Sequence, residues 1–198
     1  MVPDPTLIGK LDEADKSGHL ALVRYLCEQI LANNPEHSPT LLTYARCLVD
    51  LSLYDRCSMV LTKLEKVIPE KVRHLVHAER GHLLRKIGDN EGAEEKYLEA
   101  HTLDPDDASY LIYAGAAAMR RGDFPRAEAF LKQAIGCSEG CIDEAYFNLG
   151  GCHLAQRRIH EARGCYLKAL EIDPAYKVAR ERLEDLDLLI ALQQESSA

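Results

Sequence analysis

Two cysteines four residues apart, Cys137 and Cys141, enclose the loop-forming residues Ser138, Glu139 and Gly140. Thiols at that spacing could supply half of a zinc site or form a redox pair. A structural zinc ion takes four ligands, so a second pair is required. Cys152 and His153, on the next helical pattern, are the pair that could reach the loop. The simplest reading of Cys137 and Cys141 is a pair of reduced loop thiols, with a metal or redox role as the alternative. Cys27, Cys47, Cys57 and Cys165 read as small buried hydrophobes. His74, His77 and His82 cluster, but offsets of 3 and 5 do not bring all three to one helix face. Glu91, Glu94 and Glu95 read as a solvated face with anionic charge near a helix start. No glycine-rich phosphate loop, nucleophile elbow or metalloprotease His-Glu pair appears. The expectation is a non-enzyme, with no catalytic, cofactor-binding or metal-ligating residue.

The bulk properties narrow the classes further. With 24 basic against 32 acidic residues the chain carries a net charge of -8. That argues against nucleic acid, whose phosphates require a basic face, although a local basic patch is compatible with it. The start of the chain lacks the basic region and apolar stretch of a secretory signal. No run approaches the roughly 18 apolar residues of a membrane span. Seven cysteines, an odd number scattered through helical patterns, read as reduced thiols in the cytoplasm.

What must position any functional residue is a repeat. His77–Pro105 and Tyr146–Pro174 align along their length. Gly81 matches Gly150, Ala93 matches Ala162, Tyr97 matches Tyr166, Ala100 matches Ala169, and both stretches end in Asp-Pro. Repeats start near Asp4, Ser38, His74, Ala108 and Asp143, at spacings of 34, 36, 34 and 35. Pro35, Pro69, Pro105 and Pro174 close four of them, because proline cannot continue a helix. Glu139 stands in the fourth. Gly18, Gly88 and Gly122 mark mid-repeat turns, with Ser52 and Arg157 as departures. The second-helix column Val23, Cys57, Ala93, Ala127 and Ala162 is small enough for close helix approach. The columns four and seven residues on share its face. Lys10, Leu11 and Arg80 break the column pattern.

These motifs resemble the tetratricopeptide repeat over nearly the whole chain. The resemblance implies an all-α fold: an α-solenoid of about five helix-turn-helix repeats in a right-handed superhelix. The repeats fall near 4–37, 38–73, 74–107, 108–142 and 143–176, as one array. After Pro174 an amphipathic helix over about 177–194, with a polar outer face, is expected to cap the array. Gly115, Gly150 and Gly151 read as packing residues.

In that family the first helices line a concave groove. Carried over, one column reads Ile8, Leu42, Ala78, Ile112 and Phe147, with Arg46, His82, Arg85, Lys86, Tyr113, Met119, Arg120 and Asn148 around it. The expected partner-binding groove therefore comprises Arg46, Ala78, His82, Arg85, Lys86, Ile112, Tyr113, Arg120, Phe147 and Asn148. Its arginines would meet acidic side chains or a terminal carboxylate of a protein or peptide partner. The Lys and Asn residues with which one subclass grips chaperone tails are replaced here by Ile8 and Asp12, or by Ala78 and His82. Asn148 matches an asparagine that some members use to hold peptide backbone. The expected function is a cytoplasmic protein-interaction adaptor or scaffold. The alternative is a structural or self-assembling array.

Overall fold

A computed structural model of the chain describes residues 3–195 and shows eleven α-helices among them. In order they are α1 (Pro5–Lys16), α2 (Leu20–Asn33), α3 (Ser38–Asp50), α4 (Tyr54–Val67), α5 (His74–Lys86), α6 (Asn90–Leu103), α7 (Ala108–Arg120), α8 (Phe124–Ile135), α9 (Ile142–Ala155), α10 (Ile159–Ile172) and α11 (Lys177–Glu195). Aspartates begin several of them: the carboxylates of Asp4, Asp107 and Asp123 accept first-turn N–H bonds from Thr6, Ser109 and Arg126. Prolines lie in the first turns of α1, α3 and α8, where a missing N–H leaves no bond unmade. Pro35, Pro69, Pro105 and Pro174 lie just beyond α2, α4, α6 and α10.

The described residues fall into two compact units, α1–α6 up to Leu103 and α7–α11 from Asp104. In the first unit successive helices pack on one another, and α3 also meets α5. In the second, successive helices do the same and α7 also meets α9.

All five mid-pair turns pass through left-handed backbone, at Gly18, Ser52, Gly88, Gly122 and Arg157 with φ of 68°, 59°, 92°, 77° and 59°. Ser52 and Arg157 therefore keep the turn geometry of the glycines they replace. Beneath the turns of the last three pairs, a small residue of the first helix faces a large one of the second. A Cβ added to Gly81 would lie 2.5 Å from the Tyr97 ring, and one on Gly150 would lie 2.6 Å from Tyr166. In the first pair the sizes are exchanged: Leu11 is buried in the same core cluster as the small Cys27, so the irregular leucine fills a comparable volume. Lys10 simply faces solvent. Arg80, the other irregularity, donates to Glu65 at 2.7 Å across α4 and α5.

Two expectations change on contact with the structure. Glu94 is buried, whereas Glu91 and Glu95 are solvated. The outer face of α11 is not wholly polar. Leu183 and Leu186 pack inward, but Val178, Leu188, Leu189 and Leu192 are exposed. With 19 residues against the 14 of α10, α11 is longer by roughly 7 Å at 1.5 Å per residue.

The loop that lacks a closing proline uses the N–H a proline would remove. Glu139 donates its backbone N–H to the Asp106 carbonyl at 3.0 Å, and its own carbonyl accepts from Ala108 N–H at 3.0 Å. The result is an isolated parallel β-bridge between Asp107 and Glu139. Gly140 turns away at φ 91°, where an added Cβ would come within 2.7 Å of Asp107 Oδ1.

Candidate functional site

Within the first unit, α3 and α5 bring together Arg46 and Asp50 from one helix and Ala78, Glu79, His82, Arg85 and Lys86 from the other. Arg46 Nε donates to Glu79 Oε1 at 2.6 Å. The pair is asymmetric: the arginine side chain is 50% exposed and the glutamate 6%. Burial pushes the Glu79 carboxyl up, and the Arg46 guanidinium opposes that shift. Lys86 Nζ lies 4.0 Å from Asp50 Oδ1. Arg85 is half-buried and pairs with no carboxylate among the described residues.

His82 lies close to this charge. Its Nδ1 is 2.9 Å from the Tyr97 hydroxyl, and the two rings meet edge-on. Burial, followed by the positive charge of Arg85, Arg46 and Lys86, brings its pKa down to about 4. At neutral pH it is a neutral ring bonded to tyrosine and adds no charge to the strip. Ala78 is buried and serves helix packing.

In the second unit the expected groove residues divide between surface and interior. Arg120 is exposed at the end of α7, and Tyr113 is half-buried. Ile112 is 1% exposed and offers no surface to a ligand. Phe147 packs between Tyr166 and Tyr176, with ring centroids at 5.6 and 5.1 Å. Asn148 donates to the Glu144 carbonyl on its own helix at 2.9 Å. Phe147 is thus engaged in local ring packing, and Asn148 uses one side-chain N–H on its own helix.

The thiols stand apart from the basic strip. Cys137 contacts the Pro105 and Gln133 carbonyls at 3.7 Å, and Cys141 is exposed. Burial raises both thiols above the ordinary cysteine value, helped by Asp107 and Asp106 at Cys137 and by Asp143 and Glu144 at Cys141. Among the described residues no group of three or more His, Cys, Asp and Glu could hold a metal ion. Nor, among them, is any helix long and apolar enough to cross a membrane.

Sequence reading missed Glu79 and Asp50. The one signal for Asp50 was its place one turn after Arg46. For Glu79 it was a position one turn before His82, the residue one repeat length beyond Arg46.

Profiles of the tetratricopeptide repeat match residues 79–140 and 143–176. This chain belongs to the tetratricopeptide repeat family. Tetratricopeptide repeat protein 12 of Mus musculus is 34% identical over 73 residues, covering 36% of this chain and 10% of the relative. Tetratricopeptide repeat protein 7A of Homo sapiens is 32% identical over 105 residues, covering 53% of this chain and 12% of the relative. The chain thus spans about a tenth of these curated relatives. Among solved structures, a thermophilic tetratricopeptide protein of Thermus thermophilus gives a TM-score of 0.70 at 23% identity, over 93% of this chain and 98% of that one. A tetratricopeptide repeat protein from Parabacteroides merdae gives 0.74 at 20% identity, over 91% and 69%. The first such domain of Spaghetti (RPAP3), bound to the HSP90 peptide SRMEEVD, gives 0.56 at 23% identity, over 63% and 99%. The fold class is that of an all-α helical-repeat solenoid. Tetratricopeptide folds are typically non-catalytic scaffolds that bind protein or peptide partners.

Proposed function

We propose that this tetratricopeptide chain is a non-catalytic cytoplasmic adaptor that holds a segment of a partner protein along its first helices. Its five repeats are taken as 4–37, 38–73, 74–107, 108–142 and 143–176. The observation that carries the reading is the α3–α5 strip, where Arg46, Arg85 and Lys86 gather on a chain of net charge -8. A local basic surface on an acidic protein is a departure that helix solvation does not require. The peptide-bound domain of Spaghetti supports the class of ligand, and the guanidiniums suggest a carboxylate on it. Arg120, Tyr113 and Asn148 remain candidates for the same role in the second unit.

The test is direct. A fluorescein-labelled peptide with one glutamate among leucines and alanines is titrated with the intact chain, followed by anisotropy. Arg85→Glu should weaken binding by about 1–3 kcal/mol while leaving the thermal melt unchanged. Equal affinity in the variant defeats the strip as a binding site.

Self-assembly is the second reading, favoured by the exposed leucines of α11, Leu188, Leu189 and Leu192. Concentration-dependent sedimentation that is lost in Leu188→Lys would select it.

A further inference from the structure

The three cations of the α3–α5 strip are not equivalent, and their carboxylate neighbours decide what the strip can take. Arg46 has its Nε edge closed by Glu79 at 2.6 Å. That carboxylate is almost enclosed, so it cannot retreat to water and leave the guanidinium to a ligand. Lys86 lies within 4.0 Å of Asp50, which shares α3 with Arg46. Arg85 alone of the three faces no protein carboxylate among the described residues. The nearby His82 ring is neutral and neither adds to the charge nor competes for it.

A ligand carboxylate arriving at Arg85 meets a planar fork of N–H donors with no protein acid to displace. A second carboxylate one or two residues further on would have to share Arg46 with Glu79, or Lys86 with Asp50. Like charges brought that close repel, and the repulsion is strongest at Glu79, where the dielectric is low. Three cations against two acids leave one net positive charge, enough to balance one ligand carboxylate and no more.

We propose that the strip accepts a single carboxylate, anchored at Arg85, and that Glu79 and Asp50 are the specificity-determining residues that exclude acidic runs. This rests on reading α3–α5 as the peptide site. The preferred segment is thus apolar or neutral with one acidic group, a side chain or a chain terminus, rather than a polyacidic stretch.

Two labelled peptides of equal length test it, one with a single glutamate and one with three consecutive glutamates in the same neutral background. Each is titrated with the intact chain and with Glu79→Gln, Asp50→Asn and Arg85→Gln, all checked by thermal melting. The wild type should bind the run no tighter than the single glutamate. Glu79→Gln, which keeps a hydrogen-bond partner for Arg46, and Asp50→Asn should each tighten the run about three- to fivefold. The affinity for the single glutamate should stay nearly constant in both. Arg85→Gln should weaken both peptides. If the wild type prefers the run severalfold, or both neutralised variants leave the run unchanged while Arg85→Gln still weakens binding, the exclusion is wrong and the strip stands. If Arg85→Gln changes neither peptide, the strip itself is wrong. Should Glu79→Gln fail to fold, Asp50→Asn, at an exposed position, decides the matter alone.

Discussion

At the scale of single residues, His82 ties stability to pH. Its pKa of about 4 in the fold lies below the ordinary 6.5, because burial and three nearby cations disfavour the imidazolium. As pH falls, the unfolded chain takes up the proton first, so stability is complete above pH 6.5 and drains away between there and pH 4. The loss should reach about 2–3 kcal/mol. Urea unfolding at pH 7 and at pH 4 measures it, and His82→Gln should flatten that part of the curve. A slope unchanged by His82→Gln would place its origin elsewhere. The repeat period made Arg46 and Arg120 legible as exposed residues of first helices, because equivalent helices turn equivalent faces outward. It could not show that Arg46 is already engaged. The acid that engages it lies on another helix, and sequence spacing carries no information on side-chain reach between helices. Ile112, enclosed at 1% exposure, misled for a related reason. An apolar column has the same pattern whether it faces a ligand or the next helix.

At the scale of elements, the turns between paired helices were legible in kind but not in uniformity. Glycine announces left-handed backbone, whereas Ser52 and Arg157 give no such sign and adopt it all the same at φ 59°. Holding a side chain there costs about 1–2 kcal/mol, of which glycine's extra freedom in the unfolded chain would return about half. Ser52→Gly and Arg157→Gly should each therefore stabilise the protein by up to about 1 kcal/mol, seen as a higher denaturation midpoint at constant slope. A lower midpoint would mean that the present side chains make compensating contacts. The α8–α9 loop was legible as an irregularity, since its spacing and its missing proline both stood out. Its bridge was not, because backbone pairing between two loops leaves no residue signature. Glu139→Pro removes the N–H that reaches Asp106 and should cost about 1–2 kcal/mol. Glu139→Ala keeps that N–H and should lie within about 0.5 kcal/mol of wild type.

At the scale of the whole molecule, the thiols report on the integrity of the fold. Cys27, Cys47, Cys57 and Cys152 are buried, and burial pushes Cys27 and Cys57 up to about 12. In a native thiol titration at pH 8, Cys141 should react first, Cys137 slowly, and the buried four only once denaturant opens the chain. Early reaction of Cys57 would reveal a first unit that breathes. The bridge between Asp107 and Glu139 has a mechanical consequence as well. It ties the backbone leading into α7 to the backbone leaving α8. Tension drawn along the chain would then pass straight from one loop to the other, sparing the helix pair between them. Because the two segments run parallel and would be pulled from opposite ends, the hydrogen bonds of Ala108 and Glu139 are strained together in shear instead of opening one by one. A clasp of two backbone bonds could thus hold this repeat slack while its neighbours are stretched.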